Sequence, residues 1–220
     1  MIEGLDGSGK STQLRLLKEK LEHEKVPFQM LHFPRLEEGI YGRLVARFLR
    51  GEMGSIDRVD PYLVALLFAG DRADAAAMIR SWMDRGYLVI VDRYVYSNIA
   101  FQCAKLSNEA EQDALRDWIL HLEFEHNLLP RPDVNLFLHV PLSFVQMQLE
   151  AGRTGDDRSY LRGAQDIHED DLDFQERVRQ VYLKLPHHVK DLRFVECMDQ
   201  EGNMIPAGAI SRRILEHIDL

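Results

Sequence analysis

The chain has 220 residues, 45% hydrophobic and 29% charged, a composition that excludes disordered, collagen-like and coiled-coil proteins. Lys and Arg total 27 against 36 Asp and Glu, and the net charge of −9 argues against a nucleic-acid partner. The longest apolar run, Tyr62 to Ala69, is far shorter than the roughly 20 residues of a membrane span, and residues 1–30 carry no basic-then-apolar leader.

Cys103 and Cys197 lie far apart without metal-ligand spacing, so reduced thiols in a cytoplasmic chain without membrane partners are expected. No period of 20–50 residues repeats and no Pro/Gly/Ser-rich linker divides the chain, so residues 1–220 read as one domain.

Short apolar runs alternate with helical patterns from end to end. Met1–Glu3 reads as a strand, Ser11–Glu24 as a helix with Leu14, Leu17 and Leu21 on one face, Phe28–Phe33 as a strand and Tyr41–Arg50 as a helix stopping near Gly51. The strongest helix signal runs from Asp60 to Arg85: Asp60 suits the N-cap, Pro61 the first turn, and Gly86 the left-handed C-terminal position.

Leu88–Val91 is a continuous aliphatic run, as in a strand covered on both faces. Glu109–His126 reads as helix, Val134–Val140 as strand and Leu142–Glu150 as helix. Residues 151–168 lack periodicity, are rich in Gly, Arg and Asp, and read as a mobile lid. Helix Leu172–Leu185, strand Phe194–Cys197 and helix Ala207–His217 complete the chain. Strands separated by helices predict parallel pairing with right-handed crossovers, hence a three-layer α/β fold on a five-stranded parallel sheet.

Gly4 to Ser11 fits G-x-x-x-x-G-K-[ST], and Thr12 extends it. Glycines let successive N–H groups turn inward into an anion-binding nest, and the helix that follows aims its positive end at the same place. Asp6, Gly7, Ser8, Gly9, Lys10, Ser11 and Thr12 therefore form a candidate triphosphate cradle. Lys10 suits the β- and γ-phosphates, and the Ser11 hydroxyl suits Mg²⁺.

Asp92 follows the third apolar strand, at the end where open α/β sheets bind ligands. It suits Mg²⁺, directly or through water, or orienting the acceptor. Motor and transporter ATPases usually place a second acid here to activate water, whereas this chain has Arg93, which suits a second phosphate. The Asn-Lys-x-Asp guanine reader of GTPases is absent. On pattern alone Phe68 reads as core beside Leu63, Leu66 and Leu67, Arg72 as a solvated ion pair with Asp71 or Asp74, and Ser97 and Gln102 as solvent-facing.

Several segments, in order, resemble the thymidylate kinase family of P-loop nucleoside monophosphate kinases. They are Glu3 to Thr12, Phe33-Pro34-Arg35, Leu66 to Arg72, Asp92 to Ser97 with Ala100-Phe101-Gln102, Pro132-Asp133 and Asp173 to Arg179. The resemblance implies a P-loop kinase fold with a mobile lid, and transfer of the γ-phosphoryl group of ATP to dTMP with Mg²⁺. By position it implies Asp6 at the deoxyribose 3′-hydroxyl, Arg93 and Arg35 at the dTMP phosphate, Phe68 stacked on thymine, Arg72 at its edge, and Ser97 with Gln102 lining the base pocket. It also implies a homodimer built through helix packing.

The family supplies its charge-neutralising arginine either from the phosphate loop or from the lid. This loop carries Gly7 after Asp6, so the lid is expected to supply it, through Arg153 first and Arg158 or Arg162 as rivals. Only Met1 and Ile2 precede Glu3, fewer apolar residues than the family's first strand carries, and a curtailed central strand is expected. The rival readings are another deoxynucleoside or nucleoside monophosphate kinase and a weakly active nucleotide-binding regulatory protein.

Overall fold

The computed structural model describes residues 1–56, 58–151, 161, 166–168 and 171–218. Five strands, β1 (Ile2–Glu3), β2 (Phe28–His32), β3 (Leu88–Asp92), β4 (Asn135–His139) and β5 (Leu192–Glu196), form one sheet in the order β2-β3-β1-β4-β5. Every pairing is parallel. The flanking helices are α1 (Lys10–Glu24), α2 (Gly39–Leu49), α3 (Pro61–Asp84), α4 (Val95–Cys103), α5 (Glu109–Leu120), α6 (Leu142–Glu150), α7 (Leu172–Lys184) and α8 (Ala207–Leu215). Parallel strands buried under helices need nearly continuous apolar runs, which β3 and β4 supply.

The strongest sequence signal is realised closely. Asp60 Oδ1 accepts from the Tyr62 N–H at 2.8 Å and Pro61 opens α3, while Gly86 adopts φ 77° just beyond its end. The expected helix over 109–126 is α-helical only to Leu120 and continues as a π-helix from His121 to His126.

Helix α4 is an addition to the sequence reading. All nine of its residues are buried, so it shows no amphipathic period, and its N-cap residue Tyr94 makes no side-chain cap bond. Tertiary burial, with an acceptor brought from β1, replaces local signals.

Strand β1 pairs only through Ile2 with Asp92 and Leu136, and through Glu3 with Phe137. A cavity of about 1110 Å³, including its open mouth, is lined by Ile2 together with Leu88 and Ile90 of β3, Leu136 of β4 and Val134. The Met1 amine donates to Val134 O at 2.6 Å, and burial lowers its pKa to about 6.

Candidate active site

The loop after β1 turns at Gly7 (φ 73°) and Gly9 (φ 84°), in the left-handed region that favours glycine. A Cβ on Gly7 would lie 3.1 Å from Gln148 Cβ, so the loop also packs tightly on α6. Gly9 is the N-cap of α1 and has no side chain, leaving the helix's first N–H groups available to an anion. The buried Lys10 ammonium donates to Leu5 O at 2.8 Å and to Gly4 O at 3.3 Å.

Beside this loop a cavity of about 840 Å³, part of it open to solvent, lies at the C-terminal ends of β1–β3. Asp6, Lys10 and Ser11 line it, whereas Gly7, Ser8, Gly9 and Thr12 do not. Asp92 closes β3 against the loop. Its Oδ2 lies 3.0 Å from His32 Nδ1, and its Oδ1 is buried without a hydrogen-bond partner. Burial alone would raise the Asp92 pKa, but the His32 hydrogen bond and the charges of Lys10 and Arg93 outweigh it and hold the carboxyl below its usual range.

An ionised, unshared carboxylate oxygen and the Ser11 hydroxyl on one cavity wall are a hard-oxygen donor set that fits Mg²⁺. His32 had no motif to mark it, although its register beside Asp92 follows from adjacent parallel strands.

Beside the loop and Asp92 lies a network of interlocked side chains. Arg93 takes φ 63°, donates through Nη2 to Asp6 Oδ1 at 2.8 Å and through Nη1 to Ser97 Oγ at 3.1 Å, and lies over the Phe101 ring at 5.0 Å. Burial would lower its pKa, but Asp6, Tyr182, Asp92 and Glu3 raise it on balance, so it remains a guanidinium. Gln175, from α7, donates through Nε2 to Asp6 Oδ2 at 3.0 Å and to His168 O at 2.8 Å.

Arg72 is fully buried, and its Nε and Nη2 donate to the two Glu123 oxygens at 2.5 and 2.6 Å. This replaces the solvated pair suggested by Asp71 and Asp74. Arg72 still lines the cavity, as do Phe68, Ser97, Asn98, Phe101 and Gln102. The Oδ1 of Asn98 and the Oε1 of Gln102 are buried without partners, and neither residue faces solvent. Asn98 Nδ2 donates to Ala65 O and Glu123 Oε1, so Glu123 fixes Arg72 and Asn98 together.

Asn98 and Glu123 had no signal in the sequence, and Gln175 stood within the Asp173 to Arg179 segment with no role assigned. Asn98 stands one helical turn before Gln102, a relation visible only once α4 is known.

Arg35 does not line the cavity. Its backbone N–H and Nε donate to the Asp71 carboxylate at 2.8 and 3.0 Å, its Nη2 to Asp71 O, and its Nη1 to the exposed Glu38 at 3.2 Å. His168, which also lines the cavity, is buried against Phe48, Phe101 and Phe174, and that burial lowers its pKa to about 3. Arg153, Arg158 and Arg162 lie outside the described residues.

Four similarities to known proteins bear on this arrangement. The sequence profile of the thymidylate kinase family matches residues 2–200. The chain is 33% identical over 201 residues to a probable thymidylate kinase of Pyrococcus abyssi, covering 90% of this chain and 87% of that one. It is 36% identical over 185 residues to a thymidylate kinase of Mycobacterium tuberculosis, covering 84% and 83%. A solved thymidylate kinase structure from Candida albicans superposes with a TM-score of 0.71 at 25% identity, covering 98% of this chain and 88% of that one.

Proposed function

The chain belongs to the thymidylate kinase family and transfers the γ-phosphoryl group of ATP to dTMP, and from that premise we propose how its residues divide the work. The observation that carries the proposal is Arg93, buried and ionised between Asp6 and Ser97 in the cavity that the phosphate loop also lines.

On the donor side, backbone N–H groups of Gly7 to Thr12 hold the ATP phosphates and Lys10 neutralises the β- and γ-phosphate charge. Ser11 Oγ and Asp92 Oδ1 would hold Mg²⁺, which supplies charge neutralisation between the phosphates when bound. Arg153, with Arg158 as the alternative, neutralises the transferring phosphoryl group, a role that rests on the family resemblance.

On the acceptor side, Arg93 binds the dTMP phosphate. Arg35 assists through Nη1 after exchanging its exposed partner Glu38. Asp6 accepts from the 3′-hydroxyl while keeping its bonds to Arg93 and Gln175. Phe68 stacks on thymine. Glu123 leaves Arg72 Nη1 unspent, which suits a base carbonyl, and the orphaned Asn98 Oδ1 suits the ring N–H. Gln102 closes the base pocket. Ser97 lines it with a hydroxyl already committed to Glu3 and Arg93.

The exposed apolar residues Ile40 and Tyr41 on α2 and Leu63 and Leu66 on α3 suit a homodimer contact. Among the described residues no helix is long and apolar enough to cross a membrane. Buried free thiols at Cys103 and Cys197 support a cytoplasmic location.

ADP release with ATP and Mg²⁺ tests the division when dTMP, dUMP, thymidine and no acceptor are run in parallel. Turnover with dTMP far above thymidine is expected. Equal turnover with the two would remove the acceptor-phosphate role of Arg93.

A further inference from the structure

Glu3 ends β1 wholly buried, and the chemistry above does not use it. Its Oε1 accepts from the backbone N–H of Tyr94 at 2.9 Å and of Ser97 at 3.3 Å. Its Oε2 accepts from the hydroxyls of Ser97 and Tyr182, the latter at 2.9 Å. Tyr94 is the N-cap of α4 and Ser97 its third residue, so a carboxylate from another element satisfies the N–H groups that a local Ser or Asp ordinarily would.

The turn that Glu3 closes contains Arg93 in the left-handed region, a conformation that a non-glycine residue keeps only where its surroundings hold it. Ser97 has one hydroxyl proton. With that proton donated to Glu3, its lone pairs face Arg93 Nη1 at 3.1 Å and the Tyr182 hydroxyl at 2.9 Å.

We propose that Glu3 is a positioning residue for acceptor binding: by capping α4 and turning the Ser97 hydroxyl, it aims the Arg93 guanidinium at the dTMP phosphate. The proposal rests on the reading that Arg93 holds that phosphate. Glu3→Gln preserves shape but presents an amide NH₂ to Ser97 and Tyr182, so Ser97 Oγ accepts there. Its proton leaves Glu3 for Tyr182 Oη, 2.9 Å away, or for the Arg93 side, and the bond network that holds Arg93 is rearranged. Ser97→Ala removes the relay and leaves both backbone bonds to Glu3 in place.

The test is steady-state kinetics of Glu3→Gln, Ser97→Ala and Arg93→Ala, varying dTMP and ATP separately. The KM for dTMP should rise about tenfold or more in Glu3→Gln and about threefold in Ser97→Ala, with the KM for ATP within about twofold of wild type. A parallel rise in both KM values would mean a merely structural role and would overturn the proposal. An unchanged KM for dTMP in Ser97→Ala would overturn it too, and that variant decides the matter if Glu3→Gln does not fold. A large dTMP effect in Arg93→Ala without one in the other two would remove Glu3 alone. An unchanged KM for dTMP in Arg93→Ala would remove the Arg93 reading beneath it.

Discussion

The two walls of the cavity are built from different materials. The donor wall is largely main chain, a loop whose shape follows from glycines at positive φ and whose one long side chain, Lys10, is its neighbour in sequence. The acceptor wall is side chain on side chain: Arg93 with Asp6, Asp6 with Gln175, Arg72 with Glu123, and Glu3 with Ser97 and Tyr182. A main-chain cradle recognises any polyphosphate and tolerates change in most side chains. A wall of buried charge recognises one shape, and losing either partner of a pair strands the other in a low dielectric.

Glu123→Ala tests this contrast hardest. Stranding the buried Arg72 should cost about 3–5 kcal/mol in urea unfolding. A loss below about 1 kcal/mol would mean the acceptor wall does not depend on its buried pair. Next comes Lys10→Ala, which removes the loop's one ammonium group. It should lower kcat on the order of 10²–10³-fold in rapid-quench or coupled assays while leaving dTMP affinity nearly unchanged.

His168 provides a third, pH-dependent measure. Its folded pKa of about 3 lies below the ordinary 6.5, so the neutral ring contributes stability that is fully present above pH 6.5 and lost as pH falls. Between pH 6.5 and 5 the wild type should lose about 2 kcal/mol that His168→Phe does not lose, measured by denaturant titration at each pH. Equal losses would contradict the buried neutral imidazole. The smallest effect belongs to Gly9→Ala. A Cβ there meets nothing within 4 Å, so only the φ of 84° is strained, costing about 1–2 kcal/mol by thermal unfolding.

The same contrast explains what could be read before the structure. The phosphate loop is contiguous from Gly4 to Thr12, and each strand announced itself as an apolar run, so sheet, loop and Asp92 were legible. The partners of the acceptor wall were not, because they converge from distant positions. Arg72 and Glu123 are 51 residues apart, Asp6 and Gln175 169, and Glu3 and Tyr182 179. Arg72 therefore read as a solvated ion pair from its neighbours alone, although its partner lies in a π-helix. Helix α4 escaped for a related reason, since its cap comes from β1 and its burial on every side erases the helical period.

The central claim is that Arg93 makes the acceptor site a monophosphate site. Its most direct test is the ratio of kcat/KM for dTMP over thymidine, compared between wild type and Arg93→Ala. If Arg93 holds the phosphate as proposed, losing its charge-assisted hydrogen bonding should shrink that ratio by about 100-fold or more. A ratio that survives the substitution unchanged would contradict the account.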